Sequence, residues 1–215
     1  MKWVKKIGFV FVLLIGLSLV FNQQLKNSLI HFDAQRANQT KLGQPKIKAD
    51  YNFANVEALD TLAVLKASLT KQNAQAKLAI PAVHLKLPVF NGLNNEYLAA
   101  GAGMMKPKQK LGRKNYALAG HHLQNERLLF GPLAKLETTA NVYLTDGQKL
   151  YCYQVIKKVV VDRSQSQYLN DVKGQKLLTL VTCASGRVNE TRRLIIQAKF
   201  IKETTLTQKG AKMFQ

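Results

Sequence analysis

The chain has 215 residues, which is enough for one domain of ordinary size with some additional sequence. Hydrophobic residues make up 47% and charged residues 20%, so disordered and fibrous chains are excluded, and two cysteines exclude a disulfide-dense scaffold or a zinc site of four cysteines. The 32 Lys and Arg residues against 12 Asp and Glu residues give a formal net charge of +20, which attracts polyanions such as nucleic acid, anionic lipid or acidic wall polymers.

The N-terminus contains one long apolar run. Residues 7–21 read IGFVFVLLIGLSLVF, and no charged residue lies between Lys6 and Lys26. At a rise of ~1.5 Å per residue this stretch approaches the ~30 Å hydrocarbon core of a bilayer. A cleaved signal peptide is the alternative, but it requires a small-residue cleavage site, and here the run leads into Asn-Gln-Gln-Leu. We therefore predict a cytoplasmic tail over 1–6 and a transmembrane signal-anchor over 7–25.

The lysines of the short tail suggest an orientation. Lys2, Lys5 and Lys6 crowd the N-terminal side of the apolar run, which favours the N-terminus inside the cell. The rest of the chain then faces the outside, so we predict a single-pass protein of the cell membrane with an extracytoplasmic domain. Nucleic acid is excluded as a partner in that position, and the basic surface meets anionic lipid and wall polymer instead.

After the anchor the chain divides into three parts. Residues 26–54 are rich in Asn, Gln and Lys and are typical of a tether, and residues 55–76 contain apolar residues at helical spacing, which predicts an amphipathic helix over 55–71 leading into the domain. From 77 to 215 short apolar runs are interrupted by Pro, Gly, Asn and Asp, and several alternate with period two. This pattern predicts a mostly β domain, a closed barrel or a sandwich. The runs are 78–89, 116–120, 141–145, 149–161, 177–183 and 192–201.

Patterns for nucleotides and metals are missing from the sequence. Gly101-Ala102-Gly103 lacks the third glycine of a dinucleotide-binding loop. His121 and His122 are adjacent, so they point apart on a strand, and no carboxylate cluster accompanies them. We predict neither a metal nor a cofactor.

Cys183 is the candidate nucleophile. It ends the apolar run 177–183 beside a polar loop, where a thiol is accessible, whereas Cys152 lies in the middle of a run and is typical of a core residue. A Cys152–Cys183 disulfide stays open as an alternative. A cysteine nucleophile needs a base, and His121 and His122 follow a run that ends in the small residues Ala119 and Gly120, which leave space for a substrate.

These residues resemble a known family. TLVTC at 179–183, followed by Arg193 before an apolar run, is similar to the TLxTC…R signature of sortases, and ALAGHHL at 117–123 is similar to their histidine motif. The resemblance spans residues 52–205 and points to class A sortases, which also carry an N-terminal membrane anchor. Further matches, in order, are LPVFNGL at 87–93, GAGMMK at 101–106, LLFGPL at 128–133 and RRLIIQAKF at 192–200.

The resemblance implies a catalytic set of Cys183, His121 and an arginine. Arg192 and Arg193 are adjacent, and strand alternation places Arg192 on the face of Leu194 and other apolar residues. Arg193 shares the other, more exposed face, where a surface groove would lie. We therefore assign Arg193, with Arg192 and then Arg187 as alternatives.

The family implies a fold and a reaction. The fold is a sortase-type closed β-barrel with one or two short helices, and the reaction is that of a membrane-anchored cysteine transpeptidase of Gram-positive bacteria. It cleaves an LPXTG-like sorting signal between Thr and Gly and transfers the protein, through a thioacyl-enzyme, to an amine of a lipid-linked peptidoglycan precursor. His121 as imidazolium stabilises the thiolate and protonates the leaving amine, while Arg193 faces the oxyanion.

Three further residues are assigned to substrate binding by the same resemblance. Thr182 is a candidate second oxyanion donor, and Val181 and Ala119 shape the apolar groove for the Leu and Pro of the signal. Some class A sortases bind calcium through acidic residues before the histidine strand, but residues 104–110 contain three lysines and no acid, so we expect no calcium site.

Two other classes of protein stay open. A cysteine peptidase would use the same Cys/His pair and transfer the acyl group to water. A non-catalytic wall-binding module would account for the anchor and the +20 charge without chemistry.

Overall fold

The computed structural model of the chain describes residues 2–39, 42–43, 48–53, 56, 59, 64–65, 67, 69, 73–187 and 189–214. Most of the helix predicted over 55–71 therefore lies outside the described residues. Within the described part, the chain forms a β-barrel with few short helices, preceded by one long N-terminal helix.

Eight strands of the described chain close into the barrel in the order β1-β2-β3-β4-β7-β8-β6-β5. The pairs β2–β3 and β4–β7 are parallel and the others are antiparallel, which confirms the predicted mostly β, mainly antiparallel closed barrel. The strands are β1 Ala76–Ile80, β2 Leu85–Phe90, β3 Ala102–Met104, β4 Asn115–Ala119, β5 Asn141–Thr145, β6 Lys149–Asp162, β7 Leu177–Cys183 and β8 Arg192–Thr205. The helices are α1 Lys2–Gln39, α2 Asn95–Ala100 and α3 Gln208–Ala211, with 3-10 turns at Pro81–Val83, Gly131–Lys135, Ser166–Leu169 and Lys212–Phe214.

The apolar run 78–89 is two strands and not one. A 3-10 turn at Pro81–Val83 separates β1 from β2, and His84 completes the turn in the left-handed region with φ of 51°. His84 is consequently an exposed turn residue. Strand β3 was not predicted, because three residues are too few to show an alternating pattern.

Strand β7 is buried on both of its faces. Leu178 and Leu180 point into the barrel core, whereas Val181 packs on the outer side against Ile195 and Val161. Tyr168 and Leu169 of the β6–β7 loop (residues 163–176) cover that outer side. Alternation along β7 therefore places Cys183 on the outer face, where the cover of the loop ends.

The N-terminal helix α1 continues beyond the predicted end of the anchor at residue 25. It runs to Gln39, through the first part of the predicted tether, because Leu29, Ile30 and Ala34 recur at helical spacing and pack against the barrel core. Within the described residues, no helix combines the length and the apolar character that a membrane crossing requires.

Candidate active site

The parallel pairing of β4 with β7 creates the site. Ala119 is the partner of Val181 in this pair, and the Gly120 N–H donates to Val181 O at 3.2 Å. Because parallel strands end at the same edge of a sheet, His121, two residues after β4, lies at the same edge as Cys183, the last residue of β7.

The antiparallel pairing of β7 with β8 adds the arginine. Cys183 and Arg193 are direct partners, and the side chains of directly opposed residues project from the same face of a sheet. Arg192 has the other parity and is exposed, with its Nε donating to Glu190 at 3.2 Å. The remainder of the Arg193 face is not open as the sequence suggested, since Ile195 is buried under the β6–β7 loop.

A cavity of about 900 Å³ opens at this edge, and we call it the edge cavity. It brings together all six residues that the sequence assigned to the site: Cys183, His121, Arg193, Thr182, Val181 and Ala119. Both adjacent histidines line it, although adjacent strand residues were expected to point apart. The sequence missed the lining residues Lys26, Phe53, Val56 and Leu59, because no local signal joins the N-terminal segment to the barrel.

The edge cavity collects the unpaired polar atoms of the described structure. Within the described residues, three buried side-chain nitrogens have no hydrogen-bond partner: His121 Nε2, His122 Nε2 and Arg193 Nε. A buried polar group without a partner costs about 1–3 kcal/mol, and such groups are rare in folded proteins. Their concentration around one thiol is typical of a site that binds a polar ligand.

Backbone carbonyls at the end of the β7–β8 loop hold the Arg193 guanidinium in place. Its Nη1 donates to Glu190 O at 2.8 Å and to Arg192 O at 3.1 Å, while the ring of Phe53 lies 5.6 Å from the guanidinium carbon. The Glu190 carboxylate in turn accepts from Ser185 Oγ at 2.7 Å. Hydrogen bonds from the Arg192 side chain, the Arg192 backbone and Ser185 lower the pKa of Glu190 to about 2, so this carboxylate stays charged and the loop stays fixed.

The surroundings of His121 favour the neutral form of its ring. Burial, and then the nearby Lys26 charge, lower the pKa of His121 to about 4. A pKa lowered in this way disfavours the expected resting imidazolium in this conformation. A neutral ring acts by accepting the thiol proton during attack, as a general base does.

Thr182, the candidate second oxyanion donor, makes a hydrogen bond within the protein in this conformation. Thr182 Oγ1 donates its hydrogen to Gly120 O at 2.7 Å, so it ties the end of β7 to the residue before His121. The space beside Gly120 is likewise occupied, since a Cβ there would lie 2.8 Å from the Phe130 ring. Both Ala119 and Gly120 line the edge cavity.

A lysine fastens the β6–β7 loop. Lys106 Nζ, which precedes β4, donates to Leu169 O at 3.0 Å and to Asp171 Oδ1 at 2.9 Å. Asn115, with 2% exposure, donates to Tyr168 O at 2.8 Å and to Asn170 O at 3.1 Å. The described residues contain no group of three side chains suited to a metal ion. The positive charge beside Asp171 is the Lys106 ammonium, which connects the segment before β4 to the β6–β7 loop.

Comparisons with known proteins decide the family. A family model described as the sortase domain matches residues 78–201. The chain belongs to the sortase family. Sortase A of Streptococcus agalactiae is 34% identical over 94% of this chain and 86% of its own length, and sortase A of Listeria monocytogenes is 32% identical over 95% of each chain. These relatives confirm the predicted class A sortase and identify the chain as a cysteine transpeptidase.

Solved structures agree with this assignment. The crystal structure of Listeria monocytogenes sortase A aligns with a TM-score of 0.63 and 34% identity, covering 66% of this chain and 97% of that chain. Sortase C-1 from Actinomyces oris, at 22% identity, shares the fold with a TM-score of 0.56 over 83% of this chain and 99% of that chain. The reading of this sortase as a non-catalytic module is therefore wrong.

The two adjacent arginines of the sortase make a matched pair for a test. Only Arg193 lies on the thiol face, so we expect Arg193→Ala to lower kcat/KM by ~10²-fold or more, about 2.7 kcal/mol. Arg193→Lys should retain only part of the wild-type kcat/KM, because the lysine ammonium is a point charge and does not replace the planar guanidinium with its several N–H donors. Arg192→Ala costs less than tenfold. Steady-state kinetics of all three variants check this, and exchanged phenotypes for the two alanine variants would assign the role to Arg192.

The Lys106–Asp171 pair predicts that activity is independent of calcium. Lys106→Ala should raise KM several-fold by releasing the β6–β7 loop, while a chelator should leave the turnover of the wild type unchanged. Lys149→Ala is the matched control, because its contact with Glu203 is also 2.9 Å long and joins the far ends of β6 and β8. Several-fold activation by millimolar calcium, or equal effects of the two substitutions on KM, would contradict this role of Lys106.

Proposed function

We propose that this sortase is anchored in the cell membrane by residues 7–25 and cleaves LPXTG-like sorting signals between Thr and Gly outside the cytoplasm. The acyl group then passes to an amine of a lipid-linked peptidoglycan precursor. The observation that carries the proposal is the edge cavity, in which one thiol is surrounded by the buried, unpartnered nitrogens of His121, His122 and Arg193.

The first half of the reaction follows from these groups. The Cys183 thiol transfers its proton to the neutral His121 ring as the sulfur attacks the threonine carbonyl carbon, and the carbonyl electron pair moves onto oxygen. Arg193 Nε–H is the buried donor without a partner and faces the developing oxyanion. When the Thr–Gly bond breaks, His121 returns the proton to the leaving glycine amine and a thioester remains on Cys183.

The second half runs through the same groups in reverse. The incoming amine attacks the thioester carbon and gives one proton to His121, and the proton then returns to the Cys183 sulfur as it leaves. The products are an amide and the original thiol, so protons and electrons balance. Ala119, Val181 and Leu98 provide an apolar part of the edge cavity that suits the Leu and Pro side chains of the signal.

The position of the N-terminal helix supports a membrane-bound reaction. Gln23 lies within the proposed anchor and Lys26 directly follows it, and both line the edge cavity. The proposed anchor therefore borders the place where peptide and amine meet. A lipid-linked amine and a membrane-bound precursor protein would both be confined to that surface.

Product analysis tests the proposed reaction. The full chain in detergent should cleave an LPXTG peptide between Thr and Gly, and hydroxylamine should convert the product from the free acid to the hydroxamate, as read by mass spectrometry. Cys183→Ala should abolish cleavage without changing Tm, because this half-buried thiol ends its strand, whereas Cys152→Ala should stay active and lose about 1 kcal/mol of stability.

Three results would contradict the proposed reaction. Cleavage at another bond would refute the sorting signal, and free acid as the sole product with and without amine would indicate a peptidase. Equal loss of activity in both cysteine variants without unfolding would contradict the assignment of Cys183 alone, since the alternative disulfide does not form in the described structure, where both cysteines are free.

Fractionation tests the proposed location. The full chain expressed in bacteria should stay with membranes after alkaline carbonate extraction, and protease added to intact protoplasts should digest the barrel domain. Replacing Val12 and Leu13 in the apolar run by Asp should release the chain, because charge at the bilayer centre is costly. A wild-type chain that carbonate extracts, or a barrel protected from external protease, would contradict the anchor or its orientation.

A further inference from the structure

His122 has no role in the reaction described so far, but it lies in the site. It follows His121 directly, its backbone pairs with Leu129 in an isolated antiparallel bridge, and it lines the edge cavity. Only 8% of the residue is exposed. A polar ring buried to this degree is stable only if its nitrogens have partners.

One ring nitrogen of His122 binds the backbone of the nucleophile. His122 Nδ1 lies 2.9 Å from Cys183 O, and a carbonyl oxygen only accepts hydrogen bonds, so Nδ1 carries a hydrogen. The next peptide is also held, because the Ala184 N–H donates to Arg192 O at 3.1 Å. His122 therefore connects the loop that carries His121 to the strand end that carries the thiol.

The other ring nitrogen of His122 is left for a ligand. Nε2 is buried and has no partner among the described residues. With the hydrogen on Nδ1, the neutral ring presents a lone pair at Nε2, which accepts a hydrogen bond.

The other polar groups of the edge cavity indicate which ligand group His122 Nε2 accepts from. The cavity's basic side chains Lys26, Arg163, Arg187 and Arg193 only donate, and two of its acceptors, Gly120 O and the Glu190 carboxylate, already accept from Thr182, Ser185 and Arg192. An extended peptide brings both C=O and N–H groups. The carbonyls of the peptide can accept hydrogen bonds from several donors of the cavity, but its N–H groups need an acceptor. His122 Nε2 is a buried acceptor without a partner.

We propose that His122 is a second functional histidine of this sortase: its Nδ1–H positions Cys183, and its Nε2 accepts a hydrogen bond from a backbone N–H of the bound peptide. The second half of this statement rests on the proposed peptide substrate, whereas the first half does not depend on any substrate.

Two amide variants separate the two roles. In His122→Asn the amide nitrogen lies near the position of Nδ1, so the bond to Cys183 O persists and the Nε2 acceptor is lost. In His122→Gln the amide reaches the position of Nε2, where its oxygen accepts, and the bond to Cys183 O is lost. The matched control is His84→Asn, an exposed histidine whose left-handed backbone Asn tolerates.

Three measurements are made on the full chain: KM and kcat for an LPXTG peptide, the rate at which iodoacetamide alkylates Cys183 without peptide, and Tm. We expect His122→Asn to raise KM about tenfold with kcat and the alkylation rate changed less than about threefold. We expect His122→Gln to leave KM near wild type and to lower kcat and the alkylation rate about tenfold. His84→Asn should change none of them.

Wild-type KM, kcat and alkylation rates in both amide variants would overturn the proposal, since His122 would then neither position Cys183 nor bind the peptide. The same loss in both variants, accompanied by a lower Tm, would also overturn it and show a merely structural residue. A wild type that does not cleave the LPXTG peptide refutes the proposed function instead. The alkylation rates, which need no peptide, still decide whether His122 positions Cys183.

Discussion

The parallel pairing of β4 with β7 is the constraint on which the site depends. Parallel neighbours cannot be joined by a tight turn, so the chain forms β5 and β6 on the far side of the barrel before it returns as β7. The return places Cys183 beside the residues that follow β4. A register slip of one residue would move Cys183 to the other face of the sheet, and the burial of both faces of β7 disfavours such a slip.

The centre of the site contains polar groups without hydrogen-bond partners, and hydrogen bonds hold the surrounding loops in place. His121, His122 and Arg193 each hold a buried nitrogen without a partner, at a cost of about 1–3 kcal/mol each. The surrounding loops compensate with many hydrogen bonds: Glu190 fixes the β7–β8 loop, and Asn115 with Lys106 fixes the β6–β7 loop. Polar groups held ready for a ligand by a rigid frame lose little entropy when the ligand binds.

The N-terminal segment is part of the site and not only a tether. Phe53 lies over the Arg193 guanidinium, and Lys26 contributes to the low pKa of His121. Lys26 also donates a hydrogen bond to the backbone of Leu59, which lines the same cavity. The environment of the catalytic groups therefore depends on residues that precede the barrel.

Local patterns in the sequence were sufficient for part of this description. The thiol at the end of an apolar run and the histidine pair after small residues were visible in the local sequence, and the parity of Arg193 followed from the period of two along a strand. Similarity to sortases supplied the choice of His121, the fold and the reaction. The period of two also predicted a mostly β domain, a barrel or a sandwich, and the resemblance selected the closed barrel, whereas the three-residue strand β3 and the continuation of α1 to Gln39 were not predicted.

Only the tertiary structure decided which groups meet. Thr182 Oγ1 donates to Gly120 O, burial and Lys26 lower the pKa of His121, and His122 Nδ1 bonds to the carbonyl of Cys183, and none of these features has a local signal in the sequence. Each depends on the register between β4 and β7, strands far apart in the chain whose pairing is selected by the packing of the whole barrel. Alternation determines which face a side chain takes, but strand pairing determines its neighbours, and catalysis depends on the neighbours.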